Sequence, residues 1–212
     1  MTRHRLVATL LACAVLTGTA AAEPTAARLK RLGKTVVQQQ DETVKAVLSW
    51  RYANQTFEKE PWLLLELALA AEGKPVNLHR EDVALIAPGG ERIPLPSQKR
   101  LAEGFKDVRW ALQKASVARD PVADYFSRPT LLEPLRFFAV PSEGIVRDEV
   151  AGGPTYLIQG DLFFEAPAGV WKPGAYTLVI RNKTMAVELP FHLPADEVRK
   201  EKKGPDGKTV PW

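Results

Sequence analysis

Val44-Lys45-Ala46-Val47-Leu48-Ser49-Trp50-Arg51-Tyr52 is the stretch that decides the fold class. Val44, Ala46, Leu48, Trp50 and Tyr52 recur at a spacing of two, with Lys45, Ser49 and Arg51 on the opposite side. Side chains of a strand point alternately to its two faces, so this spacing predicts a strand with one buried face. Working outward, Asn54 to Pro61 reads as a polar connection. Trp62 to Ala70 then alternates Leu63, Leu65, Leu67 and Leu69. Leucine and alanine also favour helix. Pro61 before the run, Gly73-Lys74-Pro75 after it and the first strand's need for a neighbour favour a second strand.

Asp82 to Ile86 and Arg92 to Leu95 flank Pro88-Gly89-Gly90 and predict a hairpin, because glycine supplies the positive φ of tight turns. Pro94 and Pro96 put its second arm at a sheet edge, since proline cannot donate to a ladder. From Ser97 to Ala118 the period changes. Leu101, Phe105, Val108, Leu112 and Ala115 follow a helical stripe, with Ser97 as N-cap and Gly104 as an internal cost. Asp120-Pro121 ends that element, and Val122 to Phe126 adds one further turn. Arg136 to Val140, Thr155 to Gln159, Asp161 to Glu165, Ala175 to Arg181 and Met185 to Leu193 read as short strands between turn residues. Seven or eight such strands predict a sandwich or barrel, with a helical insertion at about 97–127.

The ends read differently. Arg3, His4 and Arg5, the apolar run Leu6 to Leu16 and Ala20-Ala21-Ala22 before Glu23 have the order of a secretory signal, so residues 1–22 are expected to be removed. Leu10-Leu11-Ala12-Cys13 loosely resembles a lipobox, but the apolar run before it is short and continues past Cys13. Cleavage after Ala22 is expected rather than a lipid anchor, which places the protein in a periplasmic or extracellular space. No segment has the roughly 20 apolar residues that span a bilayer. In the 23–41 lead segment Leu29, Leu32 and Val36 have helical spacing, which points to a short amphipathic helix, with Gly33 against it. A single β domain is expected over 42–195. The charged 196–212 tail, rich in glycine and proline, reads as disordered.

Trp171-Lys172-Pro173-Gly174-Ala175-Tyr176-Thr177-Leu178-Val179-Ile180 resembles the penultimate strand of immunoglobulin-like and fibronectin-like modules. The resemblance implies an immunoglobulin-like antiparallel β-sandwich, mainly β, with Tyr176 in the role of a tyrosine corner and Met185 to Leu193 as the closing strand. The antibody cysteine pair is absent, the helical stretch is foreign to the plain sandwich, and the fold assigns no activity.

Composition excludes several functions. Cys13 is the only cysteine, so the exported chain has no disulfide and no cysteine nucleophile. Without Arg3 and Arg5, the 29 basic residues of the chain become 27 against 25 acidic ones, which gives no reason to expect a nucleic-acid partner. Ser49, Ser97, Ser116, Ser127 and Ser142 lie in no nucleophile elbow. His79, near Glu81, and the isolated His192 do not form a metal set, and no cofactor is implied. Asp161 and Glu165 lie about 13 Å apart along a strand. Glycoside hydrolysis needs carboxyl groups about 5–9.5 Å apart. A cross-strand pair between Glu66 and another acid stays open.

Trp110 stands out, because it lies opposite the Leu101–Phe105–Val108–Leu112 stripe. Either Val122 to Phe126 folds back over it, or Trp110 with Arg109 and Tyr125 marks a binding surface. The expected function is an exported, non-catalytic binding or assembly module. Its partner is an unknown protein or an envelope glycan. The alternative is a carbohydrate-binding or glycan-active envelope protein. A third reading, a subunit that donates or accepts a strand, predicts an unpaired apolar edge near Pro94 or Pro190.

Overall fold

The computed structural model describes residues 27–128, 131–140 and 144–195. The leader with Cys13 and the 196–212 tail lie outside the described residues. The fold is mainly β. Strands β1 (Arg28–Arg31), β2 (Val36–Gln40) and β3 (Val44–Ser49) run in antiparallel succession. A single helical turn, α1 (Ala53–Thr56), leads to the long β4 (Trp62–Ala71), and β5 (Val76–His79), β6 (Val83–Ile86) and β7 (Arg92–Pro94) follow. Helices α2 (Gln98–Glu103) and α3 (Phe105–Ala115) form the insertion, which closes with a 3-10 turn at Val122–Tyr125. The element order of the described residues ends with β8 (Leu131–Pro134), β9 (Glu149–Gly152), β10 (Tyr156–Glu165), β11 (Gly174–Arg181) and β12 (Ala186–Leu193).

These strands make a six-stranded sheet in the order β1-β2-β3-β4-β10-β8, a four-stranded sheet in the order β12-β11-β6-β7, and a β5-β9 pair. All neighbours are antiparallel except β8, which runs parallel to β10. One apolar core joins the two larger sheets. Leu48, Leu63, Leu65, Leu67 and Leu69 enter it from one side, and Leu85, Leu178, Leu189 and Phe191 from the other. Gln39, itself buried, links the sheets at one edge: its Nε2 donates to the Ala186 carbonyl at 3.0 Å and its Oε1 accepts from the Glu188 N–H at 2.6 Å. The side-chain amide thereby stands in for a ladder partner of β12.

Several expectations need correction. Over its described residues, 27–41, the lead segment is not helical but a hairpin, registered from Arg28↔Gln40 to Arg31↔Val37, with Gly33 in its turn. The neighbouring β3 decides this, because β2 supplies the ladder partner that β3 otherwise lacks. The sheet therefore starts at Arg28 rather than near Glu42. β3 ends at Ser49, and Trp50 and Tyr52 join different clusters, one on each side of the sheet. No strand covers Arg136 to Val140; the edge strand is Leu131–Pro134. β5 and β9, unanticipated, pair with each other. The two strands expected over Thr155 to Gln159 and Asp161 to Glu165 are one, Tyr156–Glu165, with Gly160 inside it because the Leu135 carbonyl oxygen would lie 2.5 Å from an added Cβ.

The insertion forms as its period predicts, and Ser97 Oγ caps it by accepting from the Arg100 N–H. Gly104 divides it into two helices. Its Cβ would fall 2.4 Å from Trp62 Cζ2, so the residue that costs helix propensity is the one that lets the helix lie against β4. Both faces of β4 are consequently buried along all ten residues. The odd positions face the shared core. Trp62 and Leu64 pack under α2 and α3, and Ala68 and Ala70 under the Val122–Tyr125 turn. Glu66 lies between these two outer patches.

Candidate functional site

Three sites follow from this arrangement. The first is the outer side of α3. Val108, Ala111 and Ala115 point at the sheet, which leaves Lys106, Arg109, Trp110, Gln113 and Lys114 pointing away. Trp110 is 55 % exposed. Lys114 Nζ sits 5.1 Å from the indole centroid and is itself held by Glu60 at 3.0 Å. Glu60 also accepts from Tyr52 Oη at 2.9 Å, and burial, with Glu60 alongside, pushes the Tyr52 phenol up from its ordinary value. Around the indole lies an open depression of about 580 Å3, lined by Phe105, Lys106, Asp107, Arg109, Trp110 and Gln113. Arg109 is therefore beside Trp110. Tyr125 is not among the lining residues. It packs with the cluster of Val36, Val47, Ala68 and Ala70, and its turn covers that patch of sheet rather than the indole.

The second site is the seam around Glu66, only 5 % exposed on β4. Asp161 is its partner across the β4–β10 ladder. Arg119, just beyond α3, donates from Nη1 and Nη2 to the two Asp161 carboxylate oxygens at 2.7 Å each, and its Nη1 lies 3.4 Å from Glu66 Oε1. Gln159 Nε2 donates to Glu66 at 3.2 Å. Burial raises the Glu66 carboxyl above its ordinary range, and the Arg119 charge opposes that rise. The adjoining Asp120 accepts from Ser49 Oγ at 2.7 Å, Thr35 Oγ1 at 3.1 Å and Arg51 Nη1 at 3.0 Å. Two consecutive residues thus fasten the insertion to the residue before β2, to the end of β3, and to β4 and β10.

This seam contains the cross-strand acid pair that the sequence left open. Its chemistry is unlike that of a hydrolase. Arg119 occupies the space between the carboxylates, and the adjoining cavity of about 10 Å3 has no room for a sugar ring. The other pairing considered, Asp161 with Glu165, is split by partners: Arg100 Nε donates to Glu165 Oε2 at 2.7 Å and holds that carboxyl below its ordinary range. Arg119 went unrecognised in the sequence. Its signal was Glu66 itself, the lone charge in an apolar run, which needs a counter-charge if it is to be buried.

The third site is the start of β11. Tyr176 Oη donates to the Lys172 carbonyl four residues back at 2.9 Å. Its ring stacks on Phe191 with centroids 5.7 Å apart, and meets Trp171 edge-on at 5.9 Å. Trp171 Nε1 in turn donates to the Pro61 carbonyl at 3.0 Å.

The remaining candidates are dispersed. His79 lies 3.7 Å from Glu149, and His192 is exposed on β12. No group of three metal-ligating side chains occurs among the described residues. Pro94 and Pro190 both lie on edge strands, β7 and β12. The exposed leucines at sheet edges are instead Leu29 of β1 and Leu131 and Leu132 of β8. No helix among the described residues is long and apolar enough to cross a membrane. Comparison with protein-family models, curated proteins and solved structures gives no match.

Proposed function

We propose that this chain is an exported binding or assembly module of immunoglobulin-like β-sandwich type, whose contact face is the outer side of α3 around Trp110 and Arg109. Strand order supports the fold type. β3, β4 and β10 follow the A, B and E positions of an immunoglobulin sheet, and β12, β11, β6 and β7 follow G, F, C and C′. β8 takes the place of strand D but runs parallel to its neighbour, and the helical insertion falls between C′ and D. The Tyr176 bond to Lys172 supports a tyrosine corner at the start of strand F. Export rests on the order of basic, apolar and small residues in 1–22.

One observation carries the binding reading: a tryptophan more than half exposed on a helix whose other face is fully packed. Interfaces are enriched in tryptophan and arginine, and leaving an indole in water has no folding benefit. The test is recovery of partners from the native envelope fraction on the immobilised protein. The unaltered chain should retain a partner that a Trp110→Ala, Arg109→Ala double variant loses. Equal recovery by both, or none by either, overturns the reading.

A further inference from the structure

The binding reading leaves the partner unspecified, and the chemistry of the α3 crown narrows it. At about 100° per residue, Lys106, Trp110, Gln113 and Val117 fall within one narrow stripe opposite Val108, Ala111 and Ala115. Val117, in the turn that continues α3, is 90 % exposed. It stands about 10 Å beyond Trp110 along the axis, so two apolar side chains mark one line on the surface. Lys106 and Arg109 flank the indole and have no acidic partner among the described residues. Asp107 lies on the flank of the stripe, and the charge of Lys114 is answered by Glu60.

The shape matters as much as the charge. All six residues that line the depression at Trp110 belong to α3. Side chains from one convex helix diverge, and no second element supplies a facing wall. A sugar or a peptide held by hydrogen bonds needs groups that converge on it. A flat, extended, negatively charged partner needs only what is present: an exposed indole (a side chain suited to the headgroup layer of a lipid surface), a second apolar side chain in line with it, and cations beside them for phosphates.

Building on the contact face assigned above, we propose that the crown of α3 docks on an anionic phospholipid surface. Trp110 and Val117 enter the headgroup layer, and Lys106 and Arg109 meet lipid phosphates. With two unpaired cations and one indole the attachment is reversible and sensitive to salt.

Sedimentation with vesicles tests this, using protein purified from the exported fraction. The protein should pellet with phosphatidylcholine vesicles that contain phosphatidylglycerol, stay in solution with phosphatidylcholine alone, and be released by added salt. Trp110→Ala should weaken the partition about tenfold, the effect of losing one interfacial anchor. Lys106→Glu with Arg109→Glu should abolish it, and none of these exposed positions contributes to the core. Equal pelleting with both vesicle types, no pelleting with either, or unchanged binding by the Trp110 variant overturns the proposal. Binding to soluble dextran sulfate without binding to vesicles also overturns it, in favour of an acidic glycan. If vesicles fail while the envelope fraction still yields a protein partner that Trp110→Ala, Arg109→Ala loses, the lipid assignment falls and the contact face stands.

Discussion

The two faces of β4 are buried to the same extent by opposite means. On the inner face, Leu63, Leu65, Leu67 and Leu69 meet leucines and aromatics of the facing sheet in one continuous apolar cluster. On the outer face the apolar contacts break into two smaller clusters, with Glu66, Asp161 and Arg119 between them. The inner face is held by area, which is tolerant of direction. The outer face is held by a few directional bonds, which fix where the insertion sits and therefore which side of α3 meets solvent. Burial alone does not reveal that difference; the chemistry of the buried groups does.

The largest expected effect tests the inner face. Leu67→Ala should cost about 2–5 kcal/mol, read from the midpoint of urea unfolding. A loss no greater than that of an exposed substitution would mean that the shared core does not dominate. Arg119→Ala comes next, at about 2 kcal/mol, below the range for a fully buried pair because the guanidinium reaches solvent. Hydrogen exchange sharpens this case. Amides of α2 and α3 should lose protection while those of β4 and β10 keep it, and uniform loss would show that the seam is part of the core rather than a fastening.

The smallest effect is a slope. Burial raises the Glu66 carboxyl above its ordinary value of 4.5, so the folded protein holds that proton more tightly than the unfolded chain does. Glu66 therefore lowers stability as the pH climbs from the ordinary value through the raised one, and this penalty disappears on acidification. Glu165 works in the opposite sense: the Arg100 bond depresses its carboxyl, so its contribution is present above the ordinary value and is lost as the pH falls through the depressed one. Melting temperatures of Glu66→Gln across that range should lack the downward slope of the unaltered protein. An identical slope in the variant would assign the titration to another group.

The strands nearest the core were the most legible in sequence. Leu63 to Leu69 and Ala175 to Ile180 alternate because each has a face in the core, and the helical stripe from Leu101 to Ala115 is equally plain. The errors lie where a packed neighbour, near or far along the chain, overrides local pattern. The lead segment has the spacing of a helix and the location of a β-ladder partner. Gly160 looks like a strand boundary and is a point of close approach to Leu135. At the candidate site, Trp110 and Arg109 were legible from helical geometry. Tyr125 was not, because the direction in which the Val122–Tyr125 turn folds depends on an apolar patch formed by four separate strands.

By itself the chain's order of residues determined a mainly β protein with one helical excursion, and an indole set against the grain of its helix. Period is a local property, and a few consecutive residues are enough to establish it. Tertiary structure alone decided that Arg119 would stand between Glu66 and Asp161, that Gln39 would join two sheets, and that the Trp110 face would be left open. Each of these joins residues distant in sequence, and their meeting depends on how whole layers pack rather than on any spacing along the chain.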